Sequence, residues 1–214
     1  VHDGGKHRVA VRNGCPSAAA STPRSKESTM AKDTSKQSDT GSATANPVSN
    51  AIELLKADHR AVEKLFDAFE KAGNDDLAAK GTLAQRACEA LTVHAIIEEE
   101  ILYPAAQKAL GKDKIDVEEA FVEHFLVKTL ISKFTTLKPG EQGFDATFKV
   151  MSELVRHHVE EEEDELFPEF QKSGADLLAL GKQLHARKEQ LQSKLEEAGS
   201  KLVGDNTIAF AGSA

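Results

Sequence analysis

His94-Ala-Ile-Ile-Glu98-Glu-Glu-Ile-Leu-Tyr103-Pro104 and, 64 residues on, His158-Val-Glu-Glu-Glu162-Glu-Asp-Glu-Leu-Phe167-Pro168 are two copies of one pattern. In each, a histidine and a glutamate stand four apart ahead of a Leu-aromatic-Pro segment. Residues four apart point the same way from an α-helix, so each pair aims at one side of its helix. A single histidine precedes each copy, His59 by 35 residues and His124 by 34, and these two are 65 residues apart. The chain is therefore two helix hairpins built on one plan, each contributing a His and then a His-x-x-x-Glu.

Outward from these copies, apolar residues recur at three- and four-residue steps from Ser49 onward, with Gly and Pro at the stops. The first helix carries Ile52, Leu55, His59, Val62, Phe66 and Phe69 on one face. Ser49/Asn50 with Glu53 predicts a capping box at its start, and Gly73 its end. The second begins near Asp76 or after Gly81, places Cys88, Leu91, His94, Glu98 and Leu102 on its stripe, and stops at Gly111. The third, from about 114 to 137, aligns Val117, Phe121, His124, Val127, Ile131 and Phe134 before Pro139-Gly140. The fourth, from about 144 to 172, aligns Phe148, Met151, Val155, His158, Glu162 and Leu166. A fifth, from about 175 to 198, is amphipathic through Leu177, Leu180, Leu184 and Leu191. Short connections make neighbouring helices antiparallel, so the expected fold is all-α. It is an up-down four-helix bundle over 47–173, an additional C-terminal amphipathic helix over 174–199 and a tail over 200–214.

Residues 1–46 are rich in Ser, Thr, Ala, Gly, Lys and Asn, have no apolar period, and are expected to be disordered. Residues 1–29 hold five Lys/Arg against two Asp/Glu, and 30–214 the other 22 against 33, giving +3 and −11. Met30 opens a polar stretch that reads as the translation start, leaving 1–29 untranslated. The competing reading of that basic stretch is a transit peptide.

With 214 residues, 40% apolar and 29% charged, the chain is sized for one soluble domain plus tails. No window supplies the 18 or so apolar residues of a membrane span, so no membrane partner is expected. A net charge of −8, no Trp and the single Tyr103 offer neither a phosphate footprint nor a stacking platform, so no nucleic acid partner is expected. Cys15 and Cys88 cannot build a disulfide framework, which fits a reducing cytoplasm. The chain lacks the Glu-x-x-His of ferritin-type centres, His-Glu-x-x-His, the phosphate-cradling Gly-x-x-x-x-Gly-Lys-Ser/Thr and Cys-x-x-Cys.

Two facing hairpins bring four His and two Glu together at mid-bundle, and burying them among Leu and Phe is prohibitive without compensation. Metal supplies it. Imidazole with carboxylate suits iron, zinc or manganese, and six protein donors are too many for one structural zinc but natural for two ions. Glu98 and Glu162 can each bridge, while His59 and His124, each with one hairpin histidine, cap the ends. Incomplete coordination leaves positions for water, dioxygen, peroxide or nitric oxide. The repeat selects His158 over its neighbour His157, which is expected to face outward with Glu161 one turn on. The run Glu160 to Glu165, Glu162 apart, reads as a solvated acidic face with a role in drawing cations. Glu99 is a candidate alternate ligand. Asp58 and Glu123 either orient neighbouring imidazoles or sit at the surface. Tyr103 either hydrogen-bonds near the site or packs at the bundle end, and the matching Phe167 favours packing. Cys88 reads as a small buried thiol, and His185 as ordinary surface.

Together, Leu55-Lys-Ala-Asp58-His59-Arg-Ala-Val62, His94 through Pro104, Glu123-His124 and His158-Val-Glu-Glu-Glu162 resemble the hemerythrin-like HHE cation-binding domain, over roughly 50–172. The resemblance implies a four-helix bundle around a non-heme, oxo- or hydroxo-bridged di-iron centre. Its metal ligands fall on His59, His94, Glu98, His124, His158 and Glu162. Oxygen-carrying hemerythrins have a further His four residues after the third-helix His and close with His-x-x-x-x-Asp; here those features are Lys128 and His-x-x-x-Glu. One ligand fewer makes a more open centre. The implied function is a bacterial cytoplasmic protein that binds or senses O2, NO or peroxide, or responds to iron. The alternatives are a di-iron peroxidase or catalase-like stress enzyme, and a metal-stabilised module that engages a protein partner through the C-terminal helix or tails.

Overall fold

The structure is a computed structural model that describes residues 49–111 and 117–198. The expectations of disorder over 1–46, of a start at Met30 and of a tail over 200–214 lie outside the described residues. Helix α1 (Ala51–Lys71) opens with the expected capping box: Glu53 N–H donates to Asn50 Oδ1 at 3.0 Å and Asn50 N–H donates to the Glu53 carboxylate at 3.3 Å. It ends two residues before Gly73, because Ala72 is already extended. Helix α2 (Leu77–Ile97) starts under the Asp76 side chain, which accepts from Ala79 N–H at 3.1 Å. Helix α4 (Val117–Lys133) stops one turn short of the expected Leu137, and α5 (Phe144–Glu161) follows a left-handed Gly143. Helix α7 (Leu177–Glu197) is capped by Asp176.

The second and fourth helices depart from the simple expectation. Each passes through one π-helical turn, Glu98–Leu102 leading into α3 (Tyr103–Leu110) and Glu162–Leu166 leading into α6 (Phe167–Lys172). Tyr103 N–H donates to the Glu98 carbonyl and Phe167 N–H to the Glu162 carbonyl, five residues back. The cause is the repeated proline. Pro104 and Pro168 have no N–H to give, and in α-register their rings clash with the carbonyl four residues back. A wider turn removes the conflict, and such turns gather at functional sites. Both begin on the glutamate of His-x-x-x-Glu, so proline and site residue act on one stretch of backbone.

Two apolar clusters flank the His/Glu positions along the helices. One contains Ile52, Leu55, Ile97, Leu102, Tyr103 and Phe167. The other contains Val62, Phe66, Leu91, Phe148, Met151 and Val155. His59 lies between Leu55 and Val62 in sequence, and His94 between Leu91 and Ile97, so the polar residues form a layer between two oily ones. Cys88 is fully buried in the second cluster, and burial pushes its thiol up to about 12, as suits a packing residue.

Helix α7 packs against α1 and α2, burying Leu180, Leu184, Leu191 and Leu195. Gly181 permits the approach, since a Cβ there would lie 2.3 Å from the Ser49 carbonyl oxygen. Its apolar stripe is thus consumed by the fold. No helix among the described residues is long and apolar enough to cross a membrane. Leu184→Ala is expected to lower stability in urea denaturation by about 2–5 kcal/mol, as truncation of a buried Leu does. Leu178→Ala, at a position 51% exposed, is expected to stay within about 0.5 kcal/mol.

Candidate metal centre

All six residues singled out by the repeat are buried, Glu98 completely and Glu162 at 3% exposure. Their helices bring the four imidazoles together through Nε2. His59 Nε2 lies 3.1 Å from His94 Nε2, and His124 Nε2 lies 3.1 Å from His158 Nε2, so each hairpin supplies one pair. The carboxylates span the pairs. Glu98 Oε1 is 3.1 Å from His94 Nε2 and its Oε2 is 3.5 Å from His124 Nε2. Glu162 Oε2 is 3.4 Å from His59 Nε2 and 3.8 Å from His158 Nε2. The donor atoms form two overlapping groups, His59/His94/Glu98/Glu162 and Glu98/His124/His158, each within 4.8 Å.

Outer carboxylates hold the far side of the rings. Glu163 Oε1 is 2.8 Å from His59 Nδ1, Glu99 Oε1 is 2.9 Å from His124 Nδ1, and Glu123 Oε2 is 2.7 Å from His158 Nδ1. Asp58 faces His94 Nδ1 at 3.7 Å. A carboxylate only accepts, so Nδ1 carries the proton in the three short pairs and the Nε2 lone pair is left facing inward. Glu123 is therefore an orienting residue, one of the two readings the sequence left open, whereas Asp58 stands beside His94 Nδ1 as a charge without a hydrogen bond. Two readings are corrected. Glu163 is not a solvated member of the acidic run, because His59 reaches it from another helix and Arg60 donates to it at 2.5 Å. Glu99 is engaged as the acceptor for His124 and for Lys128 at 2.5 and 2.7 Å, rather than standing by as a ligand. No sequence signal marked either pairing, since each joins different hairpins.

Tyr103 is likewise more than packing. It is fully buried, its hydroxyl donates to Glu162 Oε1 at 3.0 Å, and the same oxygen lies 3.3 Å from His124 Nε2. Phe167, its repeat partner, stacks on His59 with centroids 5.8 Å apart. The two halves of the site thus differ by one hydroxyl. His157 is exposed beside Glu161 at 3.3 Å, as expected, and His185 is exposed beside Glu189 at 3.5 Å.

Burial would lower the His94 pKa, but Glu98, Asp58 and Glu162 outweigh it and hold it at about 10. Burial would raise Glu162, but His158, His59 and His94 bring it down to about 2. Burial, with the charges of Glu162 and Glu98, pushes the Tyr103 phenol well above its ordinary range, so it remains a donor. Burial also pushes up Asp58, Glu99 and Glu163, yet the imidazoles and cations beside them hold all three low and ionised. Even so, both Glu98 oxygens, Glu162 Oε2 and His94 Nδ1 have no hydrogen-bond partner. Buried carboxylate oxygens without donors are costly, and a cation held between them and the four Nε2 atoms would satisfy them. The donor set therefore fits metal.

A cavity of about 320 Å³ reaches this cluster. All four histidines line it, with an apolar wall of Val62, Phe66, Leu91, Val127, Ile131 and Val155, and its rim carries Arg60, Lys128 and Arg156 beside acids.

A family model described as the hemerythrin HHE cation binding domain matches residues 50–170. A DNA nickase of Nostoc sp. is 29% identical over 118 residues, which make up 55% of this chain and 32% of that protein. An uncharacterized hemerythrin-like protein of Schizosaccharomyces pombe is 28% identical over 116 residues, 54% of this chain and 56% of that one. The chain thus spans between a third and just over half of these curated relatives. The crystal structure of a hemerythrin HHE cation binding domain-containing protein from Mycobacterium kansasii matches with a TM-score of 0.61 at 25% identity, covering 76% of this chain and 97% of that one.

The raised His94 contributes stability in full below its ordinary 6.5 and loses it as pH climbs through about 10. The lowered Glu162 contributes in full above 4.5 and loses it as pH falls through about 2. The metal-free chain is thus expected to resist urea best between pH 4.5 and 6.5 and to weaken from 6.5 to 10. His94→Ala should flatten that alkaline decline; a wild-type midpoint that stays level across it contradicts the assignment.

Proposed function

The chain belongs to the hemerythrin HHE cation-binding domain family, and from that premise we propose that it holds two iron ions in its His/Glu layer and handles O2, NO or peroxide in a bacterial cytoplasm. The observation that carries this reading is the set of unpartnered oxygens, both of Glu98 and Oε2 of Glu162, beside four inward Nε2 atoms. His59 and His94 would hold one ion, His124 and His158 the other, and Glu98 and Glu162 would bridge them. Bound there, iron supplies one-electron redox chemistry and open coordination positions. The protein supplies the rest. Glu163, Glu99 and Glu123 fix three of the imidazole planes, and the two apolar clusters pack on either side of the layer. The apolar wall of the cavity suits a small uncharged ligand.

Tyr103 favours a second reading, a peroxide-consuming enzyme. Its Oη holds a proton beside His124 and Glu162, on one side of the layer only. A positioned proton donor contributes about 10²–10⁴-fold in rate. Tyr103→Phe is accordingly expected to keep its metal while peroxide turnover falls by about that factor. Unchanged turnover would leave the centre as a binder or sensor.

Full-length protein purified anaerobically from iron-replete cells is expected to hold two irons per chain and to gain near-ultraviolet absorption bands in air. His94→Ala and His158→Ala should lose metal, His157→Ala should retain it, and Glu98→Ala should hold at most one tightly bound ion. Loss in His157→Ala with retention in His158→Ala would reverse the ligand assignment. Because protons compete with metal for the raised His94 and His158, acidification should weaken uptake in an equilibrium titration.

A further inference from the structure

We propose that the acidic cleft between α4 and the α5–α6 segment is the route by which divalent cations reach the buried centre, with Glu123, His157 and Glu161 as its outer capture site. The inference rests on reading the His/Glu layer as a metal centre. The cleft is about 170 Å³ and is lined by Glu119, Glu123, Glu161, Glu165 and Glu169, with no Lys or Arg among the described lining residues. His158 and Glu162 lie at its inner end. The Glu162 side chain is 3% exposed, lines the cleft, and carries the unpartnered Oε2 that stands 3.4 Å from His59 Nε2 and 3.8 Å from His158 Nε2, so the acidic passage ends on a carboxylate of the centre itself. At the outer end, His157 Nε2 stands 3.3 Å from Glu161 Oε1 and 4.0 Å from Glu123 Oε1, a donor group within 4.8 Å. Glu123 turns its other oxygen to His158 Nδ1 at 2.7 Å, so one carboxylate separates the outer group from the inner one.

The internal repeat shows that this cleft is particular to one half of the molecule. At 64- and 65-residue offsets, Glu161, Glu165, Glu169 and Glu119 correspond to Ile97, Ile101, Ala105 and Leu54. Those four are apolar and pack in the cluster that α7 completes. In the second half all four positions are acidic. Exposure alone calls for polar residues of either sign, whereas a single-sign cleft focuses cations and raises their arrival rate. The larger cavity, with its mixed rim and apolar wall, is left for the small ligand.

Stopped-flow loading of the metal-free full chain with anaerobic ferrous iron, quenched by chelator and read as iron per chain, tests the route. Glu161→Gln/Glu165→Gln is expected to load about tenfold more slowly at low ionic strength, with the gap closing as salt is added and with wild-type final occupancy. Glu160→Gln/Asp164→Gln removes the same charge one residue earlier, at the larger cavity, and is expected to load at the wild-type rate. Equal slowing of both variants, or of neither, overturns the route while leaving the centre intact. Wild-type protein that takes up no iron overturns the metal centre itself, and the route with it.

Discussion

Two carboxylates, Glu98 and Glu162, sit in a helical interior, and both Glu98 oxygens and Glu162 Oε2 lack a hydrogen-bond partner. That constraint organises the molecule. Unshielded negative charge between two oily clusters demands positive charge in return, and the four imidazoles answer it only in part. In the metal-free protein the answer is protons, which is why His94 is held near 10 and Glu162 near 2. Divalent cations would replace those protons, coupling occupancy of the layer to the stability of the bundle.

Support for the layer is arranged with approximate two-fold symmetry. Glu163 from the second hairpin serves His59 of the first, and Glu99 from the first serves His124 of the second. Within the hairpins, Glu123 holds His158 at 2.7 Å while Asp58 stands 3.7 Å from His94. Each crossing pair ties the hairpins together through a residue that also orients a ring, so assembly of the bundle and organisation of the site are one event. Cations then steady the outer acids: Arg60 on Glu163, Lys128 on Glu99 and, from α7, Lys188 on Asp58. Glu123 faces the exposed His157 instead.

The symmetry is broken at the two ends of the layer. Tyr103 places a hydroxyl against one end of the layer and Phe167 a bare ring against the other. Helix α7 covers the first hairpin and leaves the second open at its acidic cleft. The site is accordingly flanked by two unlike hollows, a cavity with an apolar wall and an acidic cleft.

The capping box at Asn50, most of the core faces and the burial of the six donors were legible in the sequence, because each depends on local periodicity or on the 64-residue repeat. The selection of His158 over His157 is of this kind. Phe121, on the expected stripe of the third helix, is instead 41% exposed. The π-helical turns were marked by Pro104 and Pro168, but a pattern read in three- and four-residue steps does not single out one five-residue step. Which carboxylate serves which imidazole was decided only by tertiary structure. Glu163 lies 104 residues from His59 and Glu99 lies 25 from His124, and nothing in an acidic run says which member a distant ring will meet. Tyr103 could not be assigned for the same reason: its repeat partner is Phe167, and only the depth and rotation of its helix carry the hydroxyl to Glu162. Local sequence sets which residues face inward, whereas the packing of one hairpin on the other sets what each of them finds there.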